Sequence, residues 1–352
     1  MDLNALRDYL HARTQEDAFS GVVRIDVAGR PVFAEAFGMA SRTWQVPCRL
    51  ETRFDTASIT KLFTAVAALQ QIDVGAFELD TSVIDHLDLR GTAISPKVTP
   101  YHLLTHTSGI ADDADEEAGE DYEALFVDKP NYSIRETADF LPQFAYKPPN
   151  FAPGQGCRYC NCAYVLLGLM VERATGQRYR DYVTANVFER AGMRGAGFFR
   201  MDHVVPDVAE GADPFLDAEG TVVGWRRNTY SYPPIGSPDG GAYVTAGDLM
   251  AFHQALVGGR LLSQESTIAM LTPKEDHGPR DRGMHRMGFG LEFEVSPEGE
   301  VIDYWKEGIN KGTSGVLCHW PRQDVTIVVL SNRETGAWEP IKTIEALIEG
   351  PR

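Results

Sequence analysis

Apolar side chains predict strands at both ends of the chain. Residues 20–27 and 31–37 are apolar runs, and Ala28-Gly29-Arg30 between them is typical of a hairpin turn. The C-terminal part holds further strand candidates at residues 288–295, 301–305, 314–320 and 324–330. Strands from the two ends are expected to pair in one antiparallel sheet, with terminal helices over residues 2–15 and 340–349 packed on it.

Helix signals dominate the middle of the chain. Thr99 precedes Pro100 as an N-cap precedes a proline at the first helical position, and Thr245 with Asp248 is typical of a capping box. We therefore predict one α+β unit. Residues 1–79 and 285–352 form its sheet region and residues 80–284 a mostly helical region. The pattern alone does not separate this arrangement from other α+β folds.

A predicted helix that carries candidate catalytic residues begins near Ser58. Apolar residues follow Ser58 with a helical period and end at Gly75, and Lys61 lies one turn after Ser58 on the same face. Serine needs a base to become a nucleophile, and a desolvated lysine can take its proton. The alternative is a capping serine beside a solvent-exposed lysine.

Composition limits the classes of function. The 352 residues are 43% hydrophobic, and no run approaches the roughly 18 apolar residues of a membrane span. The first residues lack the basic and apolar segments of a signal peptide, which predicts a cytoplasmic location. The formal charge of −17 argues against binding to nucleic acid.

Much of the negative charge lies in one segment, residues 112–123, where eight positions are Asp or Glu. Such a run predicts a solvated loop. If it overhangs the site instead, it would disfavour anionic substrates.

Five cysteines are present, and Cys157, Cys160 and Cys162 are clustered. An odd number favours reduced thiols over a disulfide framework. Zinc binding would need a second ligand pair, which the spacing lacks, so we expect no metal.

Several motifs occur in a characteristic order. They are residues 54–63 around Ser58 and Lys61, residues 103–110, Pro153-Gly154 followed by Tyr159-Cys160-Asn161, residues 240–249 and residues 328–332. In order and spacing the chain resembles the serine β-lactamase-related family, which includes class C β-lactamases, D-alanyl-D-alanine carboxypeptidases and family VIII esterases. The resemblance covers nearly the whole chain and implies no metal or organic cofactor.

The resemblance implies roles for Tyr159 and Asn161. The tyrosine would face Ser58 and Lys61, and the asparagine would contact the substrate amide and the lysine. A tyrosinate is a strong base, and adjacent ammonium groups would lower the pKa of the phenol.

The third family motif, Lys-Thr-Gly or His-x-Gly, is harder to place. Residues 308–316 align with it so that Ile309 replaces the cation, and Lys311 points the same way about 7 Å further along the strand. A two-residue shift would make Lys311-Gly312-Thr313 the motif. In the unshifted alignment the N–H of Gly312 would join that of Ser58 in an oxyanion hole.

Other chemically active side chains are interpreted as structural. His106 is expected to be a hydrogen-bonding loop residue, because the lysine makes a histidine base unnecessary.

Four aromatic residues are candidate walls of an acyl pocket: Trp225, Tyr230, Tyr232 and Trp305.

The sequence therefore predicts a serine hydrolase that forms an acyl-enzyme with a small ester, amide or lactam. Ser58 attacks, Lys61 and Tyr159 relay protons, and Asn161 orients the substrate. The absent cation at Ile309 favours neutral or apolar substrates. The alternatives are a β-lactamase, a D-alanyl-D-alanine carboxypeptidase or D-aminopeptidase, and a catalytically inert ligand-binding domain. The oligomeric state is left open.

Overall fold

The computed structural model describes residues 2–349. In this range the strands are β1 (Gly21–Val27), β2 (Arg30–Phe37), β3 (Met39–Ser41), β4 (Val46–Pro47), β5 (Phe54–Asp55), β6 (Ala212–Leu216), β7 (Val222–Arg227), β8 (Tyr243–Val244), β9 (Glu275–Arg280), β10 (Gly283–Met287), β11 (Glu292–Val295), β12 (Val301–Asn310), β13 (Thr313–Trp320) and β14 (Val325–Ser331).

The α-helices are α1 (Leu3–Gln15), α2 (Thr60–Asp73), α3 (Val83–Leu87), α4 (Pro100–Leu104), α5 (Leu141–Phe144), α6 (Asn161–Thr175), α7 (Tyr179–Val183), α8 (Glu189–Ala191), α9 (Ala246–Val257), α10 (Gln264–Met270) and α11 (Trp338–Glu349). A π-helical segment, Thr184–Phe188, joins α7 to α8. None of the helices within residues 2–349 has both the length and the apolar character needed to cross a bilayer.

Strands from the two ends of the chain meet in one eight-stranded antiparallel sheet, in the order β2-β1-β14-β13-β12-β11-β10-β9. Where the two ends of the chain pair, between β1 and β14, Gly21 lies opposite Ser331 and Val27 opposite Val325. The predicted α+β fold with a sheet built from both termini is confirmed.

Alternating side chains of the sheet supply two separate cores. In β1, Val23 and Ile25 pack with α1 and α11, whereas Val22 belongs to the larger core around α2, α6 and α9. Because successive residues of a strand point to opposite faces, one apolar strand can fill both layers. The larger core holds the helix pair α2 and α6, and the candidate catalytic residues lie on the first turns of these helices or directly before them.

The C-terminal part of the sheet begins earlier in the chain than the sequence predicts, at Glu275. The hairpin β9–β10 extends it at one edge, so the expected boundary at residues 284/285 falls inside β10. Its polar sequence, which includes Pro279, lacks the alternation of a half-buried strand, as is common at sheet edges. The helical region also carries a hairpin, β6–β7.

Candidate active site

Ser58 lies on a single 3-10 turn, Ala57–Ile59, directly before α2. Ala57 is held at a φ of 41°, a left-handed conformation unusual for a residue with a side chain, and its N–H donates to Asp55 Oδ1 at 2.7 Å. Strand β12 passes so close that a Cβ on Gly308 would lie 2.1 Å from Thr56 O and 2.9 Å from Ser58 N. The serine is thus presented on a tight turn wedged against a strand.

Lys61 is fully buried and faces Ser58 as predicted. Its Nζ lies 2.9 Å from Ser58 Oγ, 2.7 Å from Asn161 Oδ1 and 2.6 Å from the carbonyl oxygen of Asp239. Burial lowers the pKa of Lys61 to about 8, although Asp239 partly opposes this. Near neutral pH a useful fraction of this lysine is therefore a neutral amine.

Tyr159 is also brought close to Ser58, whose hydroxyl partly offsets the effects that raise the pKa of its phenol. Its ring stacks on His106 at 4.6 Å, and Lys61 Nζ lies 5.0 Å from the ring centroid. The pKa of Tyr159 is raised well above its usual value by burial and by the nearby carboxylate of Glu116. The expectation of a lowered phenol pKa is wrong, and the group stays protonated at neutral pH.

Asn161, the first residue of α6, is held by three hydrogen bonds. Its Oδ1 accepts from Lys61, its Nδ2 donates to Glu116 Oε1 at 2.8 Å, and its backbone N–H donates to Asp112 Oδ2 at 2.8 Å. The buried Asp112 carboxylate also accepts the N–H of Cys162. Asn161 is therefore fixed beside the lysine.

The acidic segment packs on the site. Asp112 and Asp113 are buried, and Glu117 Oε1 accepts the N–H of Tyr159 at 2.7 Å. The prediction of a solvated loop is wrong for Asp112 and Asp113. Asp112 accepts the N–H groups at the start of α6, and Asp113 accepts the N–H of Ala114. Glu116, Glu120 and Asp121 line the cavity in front of Ser58, as an overhanging flap would.

Two expectations for the third motif are not met. The N–H of Gly312 donates to Asp213 Oδ2 at 2.5 Å, which occupies the donor expected to pair with the N–H of Ser58. Lys311 lines the cavity, but its Nζ pairs with Glu334 at 2.9 Å. Ile309 lines the cavity too and is 44% exposed.

A second lysine, Lys306, was missed. It is buried on β12, its Nζ lies 4.7 Å from the centroid of the Tyr159 ring, and it pairs with Glu292 Oε1 at 2.6 Å. The expectation that the site lacks a second cation is therefore wrong. Lys306-Glu307-Gly308 has the Lys-x-Gly form three residues before Ile309, and this signal could have found it.

The cavity in front of Ser58 has a volume of about 210 Å³. Its apolar walls include Phe199, Met201 and Ile235. Of the four predicted aromatic walls only Tyr232 lines it. Tyr230 is 72% exposed, Trp225 packs under the Arg42 guanidinium, and Trp305 packs under that of Arg280.

His106 has the predicted structural role. Its Nδ1 accepts the N–H of Cys160 at 3.0 Å, and burial lowers the pKa of the imidazole well below its usual value.

The five cysteines are free thiols. Of the three clustered ones, Cys162 lies with Asp112 and Asp113 in a buried group whose potential ligand atoms are within 4.8 Å of one another. Burial raises the pKa of both Cys162 and Asp113 well above the usual values, which favours protonated groups there. The group does not line the cavity.

Known proteins share this sequence and architecture. The family model described as Beta-lactamase matches residues 6–350. The chain is 33% identical to esterase EstB of Burkholderia gladioli over 65% of its own length and 63% of that protein. It is 24% identical to penicillin-binding protein 4* of Bacillus subtilis (strain 168), over 91% of this chain and 69% of that protein.

A solved structure, the penicillin binding protein from Bacillus halodurans, superposes with a TM-score of 0.87 at 38% identity, covering 96% of this chain and 99% of that one. The resemblance inferred from the motifs is thereby confirmed. The chain belongs to the beta-lactamase family, a family of serine hydrolases.

Proposed function

We propose that the protein hydrolyses a small ester or amide through an acyl-enzyme on Ser58. The observation that carries the proposal is the 2.9 Å contact between Ser58 Oγ and Lys61 Nζ, with the pKa of the lysine lowered to about 8. A neutral amine can accept the hydroxyl proton, which an ammonium cannot.

In acylation, neutral Lys61 takes the proton of Ser58 as Oγ bonds to the carbonyl carbon of the substrate. The carbonyl oxygen becomes an oxyanion, and we assign its donors as the backbone N–H groups of Ser58 and Ile309. The close packing of Gly308 on Ser58 N and the position of Ile309 at the cavity support this assignment.

The protonated phenol of Tyr159 suits the role of proton donor. As the bond between carbonyl carbon and leaving group breaks, Tyr159 passes its proton to the leaving oxygen or nitrogen and receives in return the proton that Lys61 took from Ser58. Water then attacks the acyl carbon, its proton passes to the same pair, and Ser58 leaves as the hydroxyl. Asn161 holds Lys61 and offers its amide to the substrate.

A β-lactamase or D-alanyl-D-alanine carboxypeptidase is the second candidate, favoured by Lys306, a cation beside Tyr159. Glu292 neutralises that lysine, and the cavity carries carboxylates, so the site offers a substrate carboxylate little attraction. We therefore favour substrates without one.

The test is covalent labelling followed by intact mass. A fluorophosphonate or p-nitrophenyl butyrate should add one label to the wild type and none to Ser58→Ala. Ser237→Ala, which removes another serine of the same cavity, should still be labelled. A folded wild type that no reagent labels would favour the inert ligand-binding domain.

A further inference from the structure

The cavity in front of Ser58 is lined by six carboxylates and a single lysine: Asp55, Glu116, Glu120, Asp121, Asp239, Glu334 and Lys311. Lys311 is paired with Glu334. For Glu116, Glu120, Asp121 and Asp239, no Lys, Arg or His nitrogen lies within 4 Å of the carboxylate among residues 2–349. The surplus charge in the cavity is negative.

Asp239 is the most telling of these groups. It is only 7% exposed, it lines the cavity, and its sole side-chain donor in the described structure is Ser237, at 2.6 Å from Oδ1. Removal of a carboxylate from water is costly, and this burial raises the pKa of Asp239; a cation in the space that the group faces would lower that cost.

Glu116 approaches the same space from the acidic segment. Its Oε1 accepts from Asn161 Nδ2, so the carboxylate lies next to the asparagine that holds Lys61. Asp239 and Glu116 both act electrostatically on Lys61, which places the two carboxylates near the nucleophile. The two nearby cations do not cancel them in the reactive state, because Lys61 must be neutral to act as the base and Lys306 is paired with Glu292.

The remaining walls are apolar. Phe199, Met201 and Ile235 line the cavity and can contact a hydrocarbon group of a ligand. A ligand that satisfies both kinds of wall carries a positive charge and an apolar group within a few ångströms of its carbonyl.

We propose that the site selects cationic substrates, small esters or amides with an ammonium group bound between Asp239 and Glu116. This rests on the proposed function, because it names the substrate class of the same Ser58 site. It replaces the neutral substrate expected from the sequence, which assumed that charge at the site was missing.

The experiment compares two isosteric esters that differ only in charge: the p-nitrophenyl esters of trimethylammonioacetic acid and of 3,3-dimethylbutyric acid. Each kcat/KM is divided by the rate constant of the ester with hydroxide, which removes intrinsic reactivity. The wild type should prefer the cationic ester by about tenfold or more, the scale of one Coulomb attraction between unit charges in a partly desolvated site. Asp239→Asn and Glu116→Gln should each reduce that ratio several-fold.

Asp128→Asn is the matched control, since Asp128 is exposed and does not line the cavity. It should leave the ratio unchanged. A wild-type ratio of one or below, or a ratio unaffected by both variants at the cavity, would overturn the inference. Turnover of the neutral ester alone would leave the proposed function standing, whereas an absence of turnover and of labelling at Ser58 would overturn the function itself.

Discussion

Burial of Lys61 sets the chemistry at the scale of single residues. The lysine has three acceptors around its nitrogen, which would suit an ammonium, yet the absence of solvent lowers its pKa to about 8. The phenol of Tyr159 is shifted the other way, because burial and Glu116 disfavour the tyrosinate. Two groups with opposite shifts divide the work: Lys61 accepts the proton and Tyr159 donates it.

Tyr159→Phe tests that division. Removal of the phenol proton donor should lower kcat by about two decades, and Lys61→Ala combined with Tyr159→Phe should be little worse than either alone. The control is Tyr164→Phe, which removes a buried hydroxyl bonded to Leu104 O but not one bonded to Ser58. Steady-state ester hydrolysis is the measurement, and full activity in Tyr159→Phe would remove the tyrosine from the reaction.

At the scale of elements, the site depends on how closely β12 packs on the turn before α2. Gly308→Ala should lower activity strongly, because its Cβ would meet Thr56 O at 2.1 Å and push the strand from Ser58. Gly278→Ala, on β9, is the control, since nothing lies within 4 Å of its Cβ position. Circular dichroism should show both variants folded. An unchanged acylation rate in Gly308→Ala would contradict the assigned oxyanion donors.

Two lysines are candidates for the third motif: Lys306 lies on β12, and Lys311 directly follows the last residue of that strand. Lys306→Met with Glu292→Gln, which removes the buried pair together, should lower kcat/KM by about tenfold, because the contact between the ammonium and the Tyr159 ring is lost. Lys311→Met should have a smaller effect, since its ammonium already pairs with Glu334. The opposite order of effects would restore Lys311-Gly312-Thr313 as the third motif.

The sequence predicted elements with strong periodicity and missed those set by tertiary packing. Strands β1, β2, β13 and β14 follow apolar runs, and Ser58 with Lys61 follows a helical period. The edge hairpin β9–β10 has no apolar alternation, so nothing local indicates it. From the sequence Asp112 looks solvated, because the N–H groups that its carboxylate accepts lie at the start of α6, about fifty residues away in the chain.

At the scale of the molecule, Glu292 on β11 pairs with Lys306 near the site and makes the free energy of unfolding depend on pH. Burial alone would raise its pKa, but Lys306 and His285 hold the pKa of Glu292 well below its usual value. A carboxylate with a depressed folded-state pKa stabilises the protein above its unfolded pKa of about 4.3, and this contribution is lost as the pH falls.

Glu292→Gln should therefore lower the free energy of unfolding by about 3–5 kcal/mol at pH 7, because it leaves Lys306 buried without its partner. The difference from the wild type should shrink as the pH falls below about 4. Urea unfolding at several pH values measures this, with the exposed Glu298→Gln as control. A difference that is constant with pH would show that Glu292 acts through packing alone.

The most direct test of the central claim is the rate at which a fluorophosphonate labels Ser58, followed by intact mass from pH 6 to pH 10. Because the lysine must be neutral to accept the proton, the rate should rise with pH to a plateau with a midpoint near 8, the lowered pKa of Lys61. Lys61→Met should lose the rise and label far more slowly. A labelling rate that does not change between pH 6 and 10, or wild-type labelling by Lys61→Met, would contradict the account.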